Sequence, residues 1–311
     1  MKTFTHALVT GGAGFIGSTL TRALLDAGSR VTVLDNLSVG RRDRVDPRAR
    51  FVEGDVRDRA AVGAALEGVD VVYHLAAQVT IRGSFERFYE DLDTNLMGTA
   101  NLLRAIDPAR VGWFVLASSM GVYADAQEPT PISERHPTEP QSPYGIGKLA
   151  AEQLATQVLG LQGVPLTTLR FFNTFGPGQA YTPYVGVLTI FLTRLLAGEA
   201  PVIFGDGEQR RDFVHVDDIV AGVMAAPGRA PGTYNLGTGR ATSLNELAAL
   251  AIAEVGAQVT PRHEAGRPGE LRYSIADISA ARAALGYAPA RSLATALGPV
   301  VADIAQRRRT S

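Results

Sequence analysis

Ser119, Tyr144 and Lys148 are the side chains whose types and spacing suggest shared chemistry. In the stretch SPYGIGKLA, Tyr144 and Lys148 lie four residues apart, so a helix would carry them on one face, one turn separated. Lys148 is conspicuous in itself. The chain has 28 arginines and two lysines, and the other, Lys2, stands at the N-terminus, where fraying is expected. Arginine is a planar fork that stays charged, whereas lysine is a compact point charge whose pKa moves readily. A position that keeps lysine in so arginine-rich a chain asks for the ammonium. A tyrosine with an ordinary pKa of ~10 is a poor base at neutral pH. A nearby positive charge favours its phenolate, which can take a proton from a substrate hydroxyl. Ser119, ending the apolar run GWFVLASS, is placed to hydrogen-bond the same oxygen. Taken singly, Tyr-x-x-x-Lys is a common accident in helices, and a serine at a strand end is usually a turn former. Their joint occurrence with the features below carries the reading.

Those residues need a cofactor platform, and the N-terminus supplies its pattern. Thr10-Gly11-Gly12-Ala13-Gly14-Phe15-Ile16-Gly17 follows an apolar strand and opens a helix. Glycines at 11, 14 and 17 let the backbone turn tightly and let a pyrophosphate approach the free N–H groups of the helix. The next strand ends at Asp35, where a carboxylate can hold both ribose hydroxyls of NAD and repel the extra phosphate of NADP. Arg41 and Arg42 follow closely and leave NADP open. Asp55, ending the third strand, is a candidate for the adenine edge. A positive nicotinamide would add to the ammonium in favouring the Tyr144 phenolate, with hydride leaving the carbon whose hydroxyl is deprotonated.

The elements that must position these groups are legible. Apolar runs HALVT, VTVLD, FVEGD, VDVVYHLA, GWFVLASS and PLTTLRF alternate with helical periods at 15–28, 91–106 and 144–160. Near-continuous apolar strands between helices indicate a parallel sheet covered on both faces. From about 171 the texture changes. Turn-rich stretches separate helices near 184–198, 217–226, 243–255, 277–285 and 292–307, and Ser243-Leu-Asn-Glu246 has the form of a capping box. The expected fold is α/β, with a larger domain over 1–170 and a smaller α/β domain over 171–311, some of whose segments return to the first.

Composition excludes several alternatives. A formal charge of −1 argues against nucleic acid or an anionic membrane as main partner. The basic tail Gln306-Arg307-Arg308-Arg309 reads as a solvated helix end. With no cysteine there are no disulfides, thiolate metal sites or cysteine nucleophile, and five scattered histidines give no metal-ligand spacing, so no metal is expected. No apolar run is long enough to span a membrane. The start lacks a signal-peptide pattern, so the cytoplasm is the expected location.

With these motifs in place, the chain resembles an extended short-chain dehydrogenase/reductase, of the NAD-dependent nucleotide-sugar epimerase/dehydratase family. The resemblance rests on TGGAGFIG, DN at 35–36, GDV at 54–56, HLAA at 74–77, LASS…VY at 116–123, PYGIGK, RFFNTFGPGQ, IFGDGEQRRDFVHVDD and PGELRYSIADISAARAALGY. It implies a Rossmann-type doubly wound sheet holding NAD, a C-terminal domain binding a nucleoside-diphosphate sugar, and a homodimer formed through two helices per subunit. It implies a cofactor site made of Gly11, Gly14, Phe15, Ile16, Gly17, Asp35, Asn36, Asp55, Val56, Leu75, Ala76, Ala77, Asn95, Ser118, Tyr144, Lys148 and Phe171. It also implies a substrate site made of Ser119, Met120, Asn173, Phe204, Gln209, Arg211 and Arg272, the two arginines near the diphosphate.

The resemblance narrows the chemistry as well. Dehydratases of the family place Asp-Glu after the triad's Ser/Thr, where this chain has Met120 and Gly121. Decarboxylating members carry a glutamate at the position of Gly121, and glucuronate epimerases tend to have Thr at that of Asn173. Arg210 stands where a small residue is usual, and Gly147 where Ser is common. The implied reaction is 4-epimerisation of a nucleoside-diphosphate hexose, UDP-glucose and UDP-galactose foremost, through a 4-keto sugar. A 4-ketoreductase would instead consume NAD(P)H stoichiometrically. A glucuronate epimerase or decarboxylase, and a non-catalytic NAD sensor, are the other readings; the sensor has no use for the intact triad.

Overall fold

The computed structural model describes residues 4–181, 186–266 and 271–310; Lys2, the first two positions of the helix expected at 184–198 and Pro268-Gly269-Glu270 lie outside them. The first half runs β1 (His6–Thr10), α1 (Phe15–Asp26), β2 (Arg30–Asp35), β3 (Arg50–Glu53), α2 (Arg59–Ala65), β4 (Val71–His74), α3 (Ile81–Glu86), α4 (Phe88–Leu92), α5 (Gly98–Arg104), β5 (Trp113–Ser119), α6 (Pro143–Gln162) and β6 (Leu166–Phe171). The second half adds β7 (Asn173–Phe175), α7 (Val187–Leu196), β8 (Val202–Phe204), β9 (Arg210–Arg211), β10 (Phe213–His215), α8 (Val216–Ala225), β11 (Gly232–Leu236), β12 (Thr242–Ser243), α9 (Leu244–Val255), β13 (Arg262–Glu264), β14 (Tyr273–Ser274), α10 (Ser279–Leu285) and α11 (Leu293–Thr310).

Seven parallel strands form the main sheet in the order β11-β6-β5-β4-β1-β2-β3. This is the doubly wound, Rossmann-like arrangement, and its order reverses between β1 and β4, where such sheets open a crevice at their C-terminal ends. Side chains alternate between the faces with period two. Ala7, Val9, Val31, Val33, Trp113 and Val115 enter one apolar cluster with Leu20 and Leu24 of α1 and Ile219 and Val223 of α8. Leu8, Leu34, Phe114 and Leu116 enter the opposite cluster with Leu102 of α5 and Leu159 of α6. A third cluster joins α7, α9 and α11 through Phe191, Leu247 and Leu297.

Local chemistry sets the ends of α6. Ser142 is its N-cap, with Oγ accepting from Gly145 N at 3.1 Å, Pro143 occupies the first turn, and Gly163 closes it at φ 70°. The helix expected at 91–106 is interrupted by a π-helical turn over 93–97, between α4 and α5. Two short helices, α2 and α3, and the edge strand β11 have no counterpart in the sequence reading. The β11 sequence, GTYNL, sits between Pro-Gly and Gly-Thr-Gly and reads locally as turn; parallel pairing with β6 makes it a strand. The basic tail ends α11 with Gln306, Arg308 and Arg309 exposed, as expected, but two of its arginines also bond neighbouring segments. Arg307 pairs with Asp303 and donates to Gln179 O at 2.8 Å, and Arg308 donates to Thr193 O at 3.0 Å. These arginines brace α11 against the 176–181 loop and α7 instead of facing water alone.

The capping box at α9 forms in full: Ser243 Oγ accepts from Glu246 N at 3.1 Å, and Glu246 Oε2 accepts from Ser243 N at 2.7 Å. Ser243→Ala removes one half of it and is expected to cost about 1 kcal/mol of stability, read from urea unfolding.

Candidate functional site

A cavity of about 240 Å³ opens at the β1/β4 switch point. Its floor is the glycine turn. Gly11 takes φ 71°, and a Cβ there would stand 2.8 Å from Ala76 N; a Cβ on Gly17 would stand 2.1 Å from Gly11 O. Neither position has room for a side chain, and the turn therefore brings backbone, not side chains, to the cavity. α1 begins at Gly14 with no side-chain cap, and Phe15 and Ile16 line the cavity. The first N–H groups of a twelve-residue helix are thus directed where an anion would sit.

Asp35 ends β2 at the cavity wall. Its Oδ2 accepts from Ala13 N at 2.9 Å and its Oδ1 from Leu37 N at 2.8 Å, leaving one lone pair on each oxygen for a diol. Leu37 pays for this tight exit from β2 with a φ of 58°. Beyond it, Asn36 Nδ2 donates to Asp55 Oδ2 at 2.7 Å, and Arg57 grips Asp55 with Nε and Nη2, both at 2.8 Å. The Arg57 guanidinium holds the Asp55 carboxyl down at about 2. The two arginines that kept NADP open turn elsewhere. Arg41 pairs with Asp43, and Arg42 stacks over the Phe51 ring at 4.4 Å.

At the other end of the cavity stand Tyr144 and Lys148, both on α6 and both buried. The start of α6 packs closely on the turn after β5: a Cβ at Gly145 would lie 2.2 Å from Gly121 O. That approach sets the Tyr144 ring beside Ser119, near enough for the hydroxyl to favour the phenolate, while Ser119 Oγ accepts from Gly121 N at 3.1 Å. The sequence argument that neighbouring positive charge lowers the phenol needs correcting for the protein's own groups. Burial dominates and, with the Asp91 carboxylate, pushes Tyr144 up to about 12 against the pull of Ser119. Burial likewise brings Lys148 down to about 8, while Glu152 and Asp91 work to keep it charged.

Of the residues expected to hold cofactor, the cavity is lined by Gly11, Gly14, Phe15, Ile16, Gly17, Asp35, Asn36, Asp55, Val56, Leu75, Ala76, Ala77, Ser118, Tyr144, Lys148 and Phe171. Asn95 is not among them. It lies buried behind the wall, donating to Gln78 O and Asp91 Oδ1, each at 3.0 Å, and accepting from Gln78 N at 2.8 Å. Ser119 and Met120 lie just past the lining, Met120 packed in the core.

The expected substrate residues of the second half gather in a separate cluster outside that lining. Gln209 Nε2 donates to Phe204 O at 2.8 Å, and Arg211 Nη1 donates to Arg210 O at 3.0 Å. Asn173 N donates to Asp212 O at 3.0 Å. Asn173 Nδ2 and Gln209 Oε1 are buried with no protein partner, the condition of polar atoms kept for a ligand. Arg272 is already engaged: its Nη1 and Nη2 donate to the two carboxylate oxygens of Asp206 at 2.8 and 3.0 Å. A phosphate would have to compete with that pair.

Several supporting residues escaped the sequence reading. Glu152 accepts from Arg170 Nε at 3.0 Å and Nη2 at 2.6 Å and from the Ser118 hydroxyl, all of it buried. Its place four residues after Lys148 was the available signal. Asp212, fully buried, accepts from Thr238 N, Gly239 N and Ala276 N at 2.8, 2.8 and 3.1 Å and so knits the second-half loops together. His74 bridges Thr10 and Thr99 at 2.7 and 2.9 Å, and burial pushes it down to about 3, so it serves as a neutral strut. Among the described residues no group of three His, Asp or Glu side chains is arranged to hold a metal ion, and no helix is long and apolar enough to cross a membrane.

Comparison with known proteins places this geometry. The model of the NAD dependent epimerase/dehydratase family matches residues 7–237. The chain is 38% identical over 304 residues to the UDP-glucose 4-epimerase of Mycolicibacterium smegmatis, covering 95% of this chain and 97% of that one. The crystal structure of UDP-glucose 4-epimerase from Thermotoga maritima with UDP-glucose superimposes with a TM-score of 0.93 at 35% identity, over 99% of this chain and 100% of that one. At 34% identity, over 93% of this chain and 90% of the other, it is also similar to the dTDP-glucose 4,6-dehydratase of Streptomyces niveus. Asp35→Ala is expected to weaken NAD binding at least ~10-fold, the loss of hydrogen bonds to a charged group, as measured by calorimetric titration.

Proposed function

This chain belongs to the NAD-dependent epimerase/dehydratase family, and from that premise we propose that it epimerises a nucleoside-diphosphate hexose at C4, with UDP-glucose and UDP-galactose as the interconverting pair. The observation that carries the reading is the meeting of Ser119, Tyr144 and Lys148 beside a bare Gly121. A Cβ at Gly121 would stand 3.4 Å from Ser119 Oγ and 3.6 Å from the Tyr144 ring. That is where a side chain would reach the reacting sugar, and neither Gly121 nor buried Met120 offers an acid or base to eliminate water.

Residues 1–170 would hold the cofactor and residues 171–311 the nucleotide sugar. Gly11, Gly14 and Gly17 admit the pyrophosphate to the start of α1, and Asp35 takes the ribose hydroxyls. Bound NAD supplies a hydride acceptor that becomes a donor within the turnover and, oxidised, a positive charge near the phenol. Tyr144 takes the proton from the 4-hydroxyl and returns it once the 4-keto sugar has presented its other face. Ser119 holds the same oxygen through its hydroxyl. Lys148 contributes the ammonium that favours the phenolate and, lining the same cavity, would help hold the ribose of the cofactor. Asn173 and Gln209 meet the sugar nucleotide with their unpartnered polar atoms, and Arg211 and Arg272 its diphosphate, the latter on release from Asp206.

Purified protein incubated with either sugar nucleotide and no added cofactor is expected to interconvert the pair, followed by proton NMR. Tyr144→Phe should lower turnover at least ~10²-fold, the low end for loss of a general base. Consumption of added NADH in step with product would instead establish a ketoreductase, and unimpaired turnover in the variant would remove Tyr144 from its role.

A homodimer belongs to the same proposal. Ile81, Phe85, Phe88, Tyr89, Met97 and Ile146 are all exposed, around α3, α4 and the start of α6. Two helices of this kind bury their apolar sides when a second copy packs against them. Light scattering should report a dimer for the native chain and a monomer for Phe85→Glu/Phe88→Glu; a native monomer would refute the pairing.

A further inference from the structure

Lys148 is only 5% exposed, and a buried ammonium needs a carboxylate to hold its charge. Two bear on it through their charge, Glu152 on its own helix and Asp91 on α4, whose Oδ1 lies beside the neighbouring Gly147. They are not equivalent. Glu152 is already engaged by the Arg170 guanidinium through two hydrogen bonds, and the Ser118 hydroxyl takes a further place on it. Asp91, 3% exposed, receives one amide hydrogen bond from Asn95, and Lys148 is the one cation among the described residues whose charge acts on it.

The fold goes to some length to place that carboxylate. Asn95, which orients it, is itself locked to both backbone polar groups of Gln78 in the cavity wall. The π-helical turn over 93–97 carries Asn95 into that position, the kind of irregularity that marks functional sites. Helix α6 comes close because residue 147 is glycine: a Cβ there would stand 3.1 Å from Leu92 Cδ2 and 3.7 Å from Asp91 Oδ1.

We propose that Asp91 is the positioning residue that keeps Lys148 an ammonium beside Tyr144, with Glu152 committed to Arg170. This deepens the epimerase reading and rests on it for its kinetic consequence. The charged and titratable groups around the pair are Tyr144 and Glu152 on α6, Arg170 on β6 and His74 on β4, the last neutral. Burial raises Asp91 to about 6 while Lys148 sits at about 8, so both are charged in the interval between. Asp91→Asn keeps the shape and the acceptor for Asn95 but removes the charge. Loss of a negative neighbour lowers the pKa of Lys148. It also lowers that of Tyr144, which Asp91 raises. Both limbs of a profile that needs phenolate and ammonium therefore move to lower pH.

The chain has only two lysines, so [¹³Cε]lysine labelling reads Lys148 directly, with Lys2→Arg assigning the resonance. The expected result is a Lys148 midpoint at least ~1 unit lower in Asp91→Asn than in the native protein, with Asp91→Glu restoring it. The kcat/KM profile should shift to lower pH in the same variant, a change that a merely structural role would not produce. An unchanged Lys148 midpoint in folded Asp91→Asn overturns the proposal; Asp91→Ser repeats the comparison if the amide does not fold. The titration uses no substrate, so its outcome stands apart from whether the chain epimerises hexoses.

Discussion

A charged ammonium buried against the C-terminal edge of a parallel sheet is the constraint to which most of this structure answers. Taking Lys148 out of water disfavours its charged form, and burial indeed depresses its pKa. The surrounding elements are arranged to limit that effect. Glu152 and Asp91 approach from two sides, Arg170 balances the first, and Asn95 orients the second. Its members come from α4, the π-helical turn after it, α6 and β6, and all are buried, so breaking the network on one side leaves an uncompensated charge.

The phenol beside it is under opposing influences. Burial and Asp91 hold Tyr144 protonated, and the Ser119 hydroxyl pulls toward the anion. A base that is too easily ionised would drive proton transfer weakly; one that is never ionised would not act. Asp91 therefore works on both partners at once, supporting the ammonium and restraining the phenolate. The close approach of helix to turn at Gly145 and Gly121 keeps Ser119 within reach of the same phenol.

The second half of the chain solves a different problem. Under the proposed function it presents hydrogen-bonding groups to a long, charged ligand while remaining attached to the main sheet. Strand β11 and helix α8 are its attachments, the one extending the main sheet and the other covering its face beside α1. Asp212 then ties strand β10 to the loop after β11 and to the segment after β14 through backbone donors. The Asp206–Arg272 pair holds a guanidinium in place without burying it.

Much of this was readable before any coordinates. The alternation of apolar runs and helical periods determined a parallel, doubly covered sheet, because a strand buried on both faces has little choice of residue. Glycines at 11, 14 and 17 followed by Asp35 determined a tight strand-to-helix turn, since no side chain fits at 11 or 17, and the four-residue spacing of Tyr144 and Lys148 determined that they share a helix face. The family motifs supplied most of the cavity wall. Tertiary structure alone decided the rest. GTYNL is a strand only because β6 offers it a partner, and Asn95, in a π-helical turn, is taken up by Asp91 and the backbone of Gln78 behind the cavity wall. Arg307 and Arg308 became braces because α11 packs against two other segments. The direction in which Tyr144 is shifted depends on its burial, which summed spacing cannot reveal. Local sequence carries backbone geometry and periodicity; the balance of desolvation against charge exists only once distant segments have closed around the same few atoms.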